Sequence, residues 1–170
     1  AIISDEWYDT RNTKTYVINP SNPSQGPKVI FDRNAQDAYS DPGNFETRKN
    51  QYNRYVLAIE NDNAYLIGNG FTKNGQFPFI SEFNLKTLQT NRLYTSTYKD
   101  KKEDLLEIED FKKGTVLVQI QSKNEYPNYY LRNFKQKNKL TPITAFKNPF
   151  ESIKNVNKEV IKYKRKDGVE

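Results

Sequence analysis

The stretch that decides the fold is LLEIEDFKKGTVLVQIQ, residues 105–121. Two runs of alternating apolar and polar residues, 105–111 and 115–121, flank the turn signal Lys113-Gly114. Alternation with a period of two is typical of half-buried β-strands, and glycine takes the positive φ that a tight connection requires. The stretch therefore predicts two antiparallel strands joined by a short turn.

Similar short runs recur along the chain, and no segment keeps a helical period for ten residues. Further strands are predicted at residues 1–8, 15–18, 28–32, 52–59, 64–68, 79–85, 92–97, 129–134 and 140–145. Turn signals separate them: Pro42-Gly43 suits a type II turn, and Asn69-Gly70 and Asn74-Gly75 suit tight connections. The sequence therefore predicts an all-β fold.

The strands repeat in sets of four. Runs in the third position begin near Thr15, Pro78 and Asn128, and runs in the fourth position are centred on Phe31, Tyr94 and Ile143. The first set of landmarks is separated by 63 and 50 positions and the second by 63 and 49. A repeat of roughly 40–50 residues with four strands is typical of propeller blades. We therefore predict a partial β-propeller over residues 1–146, about two and a half four-stranded antiparallel blades, near 1–33, 45–97 and 105–146.

The last part of the chain, residues 147–170, predicts a linker and a terminal crossover strand at 159–166 that breaks at Asp167-Gly168. Because propellers usually have about 4–8 blades, a partial one is expected to expose blade faces and strand edges. Self-association through these edges, or cover from an intact partner, is the expected consequence.

The composition excludes several kinds of chemistry within these 170 residues, because Cys, His and Met are all absent. Disulfides, thiolate nucleophiles, Cys/His zinc sites and triads with an imidazole base are ruled out. The length alone suits one domain, but a start at Ala1 without Met favours a processed or excised piece. Hydrophobic residues make up only 35%, and aromatic residues, at 14%, supply apolar area suited to strands. No stretch approaches the ~20 apolar residues of a membrane span, and no signal peptide is visible.

The net charge of +6 lies entirely near the carboxyl end. Residues 1–133 carry 17 Lys and Arg against 17 Asp and Glu, whereas residues 134–170 carry 10 against 4. The densest cluster consists of Lys158, Lys162, Lys164, Arg165 and Lys166. Such a cluster suits nucleic acid, but alternation around Val160 and Tyr163 favours a solvated strand face, and no nucleic-acid motif accompanies it. We therefore expect no nucleic-acid partner.

Several motifs in order resemble the glutamyl endopeptidase branch of the prolyl oligopeptidase family of serine peptidases. Two opening pieces are Trp7-Tyr8-Asp9-Thr10-Arg11 with Thr15-Tyr16-Val17-Ile18, and Ile30-Phe31-Asp32-Arg33 with Asp37-Ala38-Tyr39-Ser40-Asp41-Pro42-Gly43. The next are Tyr65-Leu66, Gly68-Asn69-Gly70, Gly75, Pro78-Phe79 and Asn84-Leu85-Lys86-Thr87, and the last is Tyr163-Lys164-Arg165-Lys166-Asp167-Gly168-Val169-Glu170. The third predicted blade has no distinctive motif and rests on spacing alone.

The resemblance implies a parent enzyme that cleaves peptide bonds with a Ser-Asp-His triad, pairing a β-propeller with a C-terminal α/β-hydrolase domain. The nucleophile elbow, the acid and the His of that triad are expected beyond Glu170, so no catalytic residue is assigned to this chain. No cofactor and no metal are implied. The expected partners are a peptide substrate, bound through the parent enzyme, and the chain's own hydrolase domain.

Arg11 and Lys14 are the candidate substrate contacts. They lie on or beside a predicted strand next to Trp7 and Tyr8, and a cation there would pair with an acidic substrate side chain. The alternative is a surface role, with Arg11 paired to Asp9 or stacked on an aromatic ring. The sequence favours the surface role, and Arg11 and Lys14 are kept as candidate substrate contacts beside it.

Three other groupings have simpler structural interpretations. Asp32, Asp37 and Asp41 do not have the spacing of a calcium loop and are expected to form turns. The acidic run at 103–110 is opposed by nearby lysines and is expected to be a solvated edge. The set Trp7, Tyr8, Tyr129 and Tyr130 would suit a stacking platform for sugar or nucleic acid, but its place in strands favours core and inter-blade packing. No two carboxylates are placed at the separation that glycoside hydrolysis requires.

The sequence as a whole predicts the non-catalytic propeller portion of a serine peptidase, which shapes and gates the active-site chamber. The chain alone is expected to have no peptidase activity, whereas the parent cleaves peptides, with Glu as the preferred residue by resemblance. The alternative is a free-standing β-sheet module that binds carbohydrate or protein. The lack of Cys permits a cytoplasmic site as well as a periplasmic or secreted one, so the compartment stays open.

Overall fold

The fold is all-β, as the sequence predicts. The structure, a computed structural model, describes residues 1–136, 139–153, 156 and 159–168. Within these residues the strands are β1 Ile2–Trp7, β2 Asn12–Val17, β3 Lys28–Asn34, β4 Asn44–Phe45, β5 Thr47–Lys49, β6 Tyr55–Leu57, β7 Ile59–Glu60, β8 Asn63–Gly68, β9 Phe71–Thr72, β10 Gly75–Gln76, β11 Phe79–Asn84, β12 Thr90–Thr95, β13 Lys101–Asp110, β14 Thr115–Ser122, β15 Asn128–Asn133 and β16 Lys139–Pro142. Short 3-10 helices occupy Pro23–Gln25 and Glu151–Ile153. Among the described residues, no helix has the length and apolar character to cross a bilayer.

The strands form three antiparallel sheets in chain order. The first sheet is β1-β2-β3, the second is β12-β11-β8-β4 with β7 also paired to β8, and the third is β13-β14-β15-β16. Two further pairs, β5 with β6 and β9 with β10, form small ribbons. The predicted hairpin at 105–121 is confirmed as β13 and β14, and the glycine of its turn, Gly114, has φ +73°.

The sequence misplaced some strands. The single strand predicted at 52–59 is divided between β6 and β7, and the short strands β4, β5, β9 and β10 were not predicted. Strands of two or three residues are too short to show an alternation, so their pairing comes from tertiary contacts. Strand β13 also begins at Lys101, before the apolar run, because it pairs with β14 as far as Ser122.

The terminal crossover strand predicted at 159–166 is wrong for this structure. Residues 159–165 form neither strand nor helix, and the segment is exposed throughout its described part. Val160, Ile161 and Tyr163 are among its exposed side chains. A strand needs a hydrogen-bonded neighbour, and this segment pairs with none of the described strands. Lys158, Val169 and Glu170 lie outside the described residues.

The second sheet packs against the other two sheets through opposite faces. Towards the first sheet, the ring centroids of Phe83 and Phe45 lie 6.0 and 6.2 Å from that of Phe31 of β3. Towards the third sheet, Ile80, Tyr65 and Tyr94 belong to one buried cluster with the inward residues of β13 and β14. That cluster is completed by Leu105, Ile108, Val116, Val118, Ile120 and Phe134. The core is therefore formed between sheets, as the two-residue alternation of the strands requires.

A buried ion pair lies where the second and third sheets meet. Arg132 Nε donates to Glu103 Oε1 at 2.7 Å, and the two side chains are 6% and 0% exposed. Tyr94 Oη of the second sheet donates to the other carboxylate oxygen at 2.6 Å, and Arg132 donates to Tyr98 Oη at 3.2 Å. Burial and the Glu103 carboxylate raise the pKa of Tyr94, which stays protonated as a donor. Although burial disfavours its charge, Glu103 holds the pKa of Arg132 above the usual value.

The prediction that the whole acidic run forms a solvated edge is therefore wrong for Glu103. Its neighbours Glu107 and Glu109 are exposed on β13, which is an edge strand of the third sheet. Glu103 differs because it faces the second sheet, where Arg132 and Tyr94 compensate its charge. The sequence alone does not reveal these partners, which are 29 and 9 positions away.

A second carboxylate, Glu46, also connects the sheets. Its backbone N–H donates to Tyr65 O at 2.8 Å, and its side-chain Oε2 accepts from the Ile108 N–H at 3.2 Å. Burial raises the pKa of the Glu46 carboxyl despite that hydrogen bond, and the nearby Glu107 raises it further. The folded state therefore favours protonated Glu46 more than the unfolded state does.

We expect Glu103→Gln to lower the free energy of unfolding by about 3–5 kcal/mol, because it leaves the Arg132 charge buried without compensation. Glu109→Gln, on the exposed face of the same strand, is the control and should change stability by no more than about 0.5 kcal/mol. Chemical denaturation measures both. The double variant Glu103→Leu with Arg132→Met should recover most of the loss. A loss for Glu103→Gln no larger than the control would contradict the assignment.

Glu46→Gln is expected to stabilise the protein at pH 7. The raised pKa of Glu46 means that the folded state loses stability as the pH rises from 4.5 through the folded-state value. Glutamine stays neutral and keeps an oxygen for the Ile108 N–H. The gain over the unsubstituted protein should shrink as the pH falls below 4.5, as denaturation curves at several pH values will show. Glu6→Gln, at an exposed position, is the control, and a gain independent of pH would refute the assignment.

Candidate functional site

Arg11 and Lys14 lie on the hairpin of β1 and β2 and contact aromatic rings. The Arg11 guanidinium carbon lies 4.0 Å from the centroid of the Tyr8 ring, and the residue has a positive φ of 55° in the connecting turn. Lys14 Nζ lies 5.7 Å from the Trp7 centroid and 3.4 Å from Asp32 Oδ2. Arg11 therefore stacks on an aromatic ring, as the surface-role interpretation expects. Lys14 has the Asp32 carboxylate as its partner.

The aromatic side chains that the sequence assigned to packing divide into two groups. Tyr130 packs against the core cluster and Tyr129 is half-buried, in agreement with a packing role. Trp7 and Tyr8 are 43% and 75% exposed, so the packing interpretation is wrong for these two in this structure. Trp7 ends β1 and Tyr8 follows it. Among the described strands β1 pairs only with β2, and both rings lie beside cations.

Asp37 and Asp41 form turns, as the sequence predicts, whereas the turn prediction is wrong for Asp32, which lies in β3 and pairs with Lys14 at 3.4 Å. Asp37 Oδ1 accepts from the Tyr39 N–H, and Asp41 Oδ1 accepts from the Gly43 N–H, both at 3.0 Å. Arg33 pairs with Asp41 at 3.2 Å. Hydrogen bonds from Ser40 and Tyr39 lower the pKa of Asp37. Across the described part of the chain, no group of three or more acidic side chains is placed to hold a metal ion.

An open cleft of about 500 Å³ separates the first and second sheets. One wall comes from Phe31 of β3 and the loop 38–42, and the other from the ribbon of β9 and β10 with Phe77. Its base is the face of β11 and β12 that carries Phe79, Ser81 and Arg92. Ser81 and Arg92 are paired across these two strands, so their side chains share this face.

Arg92 is held in the cleft by a stack of three residues. Its guanidinium carbon lies 3.2 Å from the centroid of Phe79, which is buried. The Phe79 ring lies directly over Gly68 of β8, because a Cβ there would come within 2.1 Å of the Phe79 Cζ atom. Glycine at position 68 therefore lets the ring lie flat, and the ring in turn supports the cation.

Two polar groups of the cleft have no partner among the described residues. Ser81 is 1% exposed, and its Oγ makes no hydrogen bond. Arg92 is an exposed residue that makes neither a side-chain hydrogen bond nor an ion pair with any described residue, and partial burial of its guanidinium lowers its pKa.

Sequence reasoning missed Arg92 and Ser81. The available signal was Phe79-Ile80-Ser81-Glu82-Phe83, in which alternation places a serine between two phenylalanines on one face. The register with Arg92 is displaced by an irregularity between Ile80 and Ser81, which an alternation pattern does not reveal. The described members of the basic cluster near the carboxyl end are exposed, and Arg165 pairs with Asp167 at 2.7 Å.

Comparison with known proteins gives two plant relatives. The chain is 34% identical over 186 aligned residues to a probable chloroplastic glutamyl endopeptidase of Oryza sativa subsp. japonica, and 34% identical over 187 to one of Arabidopsis thaliana. Each alignment covers 100% of the chain but 19% of the relative, so the chain spans about a fifth of their length. No protein-family model and no solved structure matches. From end to end, this chain resembles a segment of the glutamyl endopeptidases.

Proposed function

We propose that this chain is a non-catalytic β-propeller portion of a serine peptidase similar to the glutamyl endopeptidases, and that it shapes and gates the active-site chamber. The observation that carries the proposal is the end-to-end similarity to relatives about five times as long. The chain contains no His, so a triad with an imidazole base must draw on residues outside it.

The order and packing of the sheets support the propeller part of the proposal. Each of the three sheets is an antiparallel array, and the second contacts the first through one face and the third through the other. Face-to-face packing of successive sheets in chain order is the arrangement of neighbouring propeller blades. Gating follows from this architecture, since blades placed beside a catalytic domain restrict the path of a substrate.

Arg11 and Lys14 remain the proposed substrate contacts. Both stay half-buried on the surface of the first hairpin. Their aromatic neighbours fix the cations in place and leave N–H groups for an acidic substrate side chain.

The chain alone is expected not to hydrolyse a Glu-containing peptide, whereas the longer protein encoded with it should do so. The measurement is release of a fluorescent group from such a peptide by each purified protein. The reading frame after Glu170 should contain a Gly-x-Ser-x-Gly motif and a distal His. A stop codon at that point would refute the proposal and favour the binding-module alternative, as would hydrolysis by the chain alone.

The substrate role of Arg11 and Lys14 has its own test in the longer protein. We expect Arg11→Gln with Lys14→Gln to raise KM for a Glu-containing peptide several-fold with little change in kcat, because binding of the acidic side chain is weakened. Arg54→Gln with Lys73→Gln removes the same charge from exposed positions and is the control. An equal rise in KM for both double variants would show that only net charge matters.

A further inference from the structure

The outer edge of β1 is open to an added strand. β1 pairs with β2 along one edge, and no described strand pairs with the other. Its pairing with β2 is regular over all 6 residues, and it contains no proline. The N–H and C=O groups that point away from β2 are therefore available to a further strand.

The other strands at the edges of the three sheets are less suited to pairing. β3 and β12 each contain an extra residue that breaks the register, and β13 contains two. On β13 the Glu46 carboxylate also accepts the Ile108 N–H. β4 and β7 have 2 residues each, and β16 has 4 and ends in Pro142. Because bulges, prolines and short strands hinder association at a sheet edge, β1 is the edge best suited to receive a strand.

The terminal segment, residues 159–165, has the pattern of a strand but pairs with none of the described strands. Val160, Ile161 and Tyr163 are 87%, 77% and 72% exposed. Large apolar side chains that lie together in water favour burial against another surface. The terminal segment therefore has the side chains of a strand and lacks the neighbour that a strand requires.

The free edge and the terminal segment have opposite charges. β1 carries two acidic side chains and no basic one, whereas the terminal segment carries three basic side chains and one acidic one. Opposite charges at facing positions of neighbouring strands stabilise their pairing, and like charges oppose it. β1 is therefore a poor partner for a second β1 and a good partner for the terminal segment.

One parallel alignment suits both the apolar and the charged side chains. It places residues 160–165 beside the 6 residues of β1, with Ile161 opposite Ile3 and Lys164 opposite Glu6. Facing pairs of β-branched residues and of opposite charges both stabilise a sheet. The alignment therefore buries exposed apolar surface and pairs charges at the same time.

We propose that β1 pairs with the terminal segment of a second copy of this chain, and that the exchange is reciprocal. A second copy is required because the segment does not pair with β1 of its own chain. The same two elements then meet twice about a two-fold axis, which closes the assembly as a dimer. This pairing is independent of any peptidase function.

Disulfide trapping tests the alignment, since the chain contains no Cys of its own. In Ile3→Cys with Ile161→Cys the thiols face each other across two copies, so mild oxidation should give a covalent dimer on a non-reducing gel. In the control, Ile3→Cys with Val160→Cys, the second thiol lies on the opposite face, and cross-linking should be at least about tenfold slower. A disulfide-linked monomer, or equal cross-linking by both variants, would overturn the proposal.

Charge reversal tests the partner surfaces by sedimentation equilibrium. Glu6→Lys and Lys164→Glu should each weaken dimerisation at least about tenfold, because like charges then face each other. An equimolar mixture of the two variants should recover the dimer, since opposite charges meet again at both contacts. Lys73→Glu, at an exposed position outside both elements, is the control and should leave the dimer unchanged.

Circular dichroism confirms that each variant is folded. A monomer at every concentration of the unsubstituted chain, or a mixture no more associated than its separate components, would refute the pairing. If the reading frame ends at Glu170 and the mixture recovers the dimer, the peptidase proposal fails and the pairing stands. If the longer protein cleaves Glu-containing peptides and no dimer forms, the pairing fails and the peptidase proposal stands.

Discussion

The ion pair of Glu103 with Arg132 is the constraint on which the arrangement of the second and third sheets depends. Both charges are almost completely excluded from water, and their compensation requires Tyr94 to reach across from β12. Apolar contacts alone tolerate small rotations of one sheet over another, whereas hydrogen bonds of 2.6–2.7 Å do not. The network therefore sets the register between the sheets, while the surrounding apolar cluster supplies most of the burial.

Fixing β12 by one face has consequences for its other face. Tyr94 points towards the third sheet, and alternation alone would place Arg92, two residues earlier, on that same face. The register shift between the pairs Ile80–Tyr94 and Ser81–Arg92 adds one residue to β12 and places Arg92 on the cleft side. The same strand therefore carries an interaction that orders the core and a cation that has no partner in the described protein. The first face is satisfied internally, and the second leaves the Arg92 side chain exposed.

The sequence predicts the long strands of this structure better than it predicts which charged side chains are buried or whether the terminal segment forms a strand. The long alternating runs predict β11 and β14 almost completely and the second half of β13, because each of these runs has neighbouring strands with which to pair. The charge pattern failed at Glu103, since a buried carboxylate and an exposed one look alike until their partners are known. The terminal segment failed for the opposite reason: it has the alternation of a strand but no strand to pair with among the described residues.

Sequence also predicts candidate site residues only where their neighbours are close in sequence. Arg11 and Lys14 are candidates because they are near aromatic residues in sequence. In the structure Arg11 stacks on Tyr8. Lys14 lies near the Trp7 ring and pairs with Asp32. Arg92 has no such local signal, since its platform of Phe79 and Gly68 comes from two other strands of the second sheet. Sites assembled across strands depend on register, and register is fixed by the core. In this chain the buried network on one face of β12 is thus a physical precondition for the unpaired cation on the other.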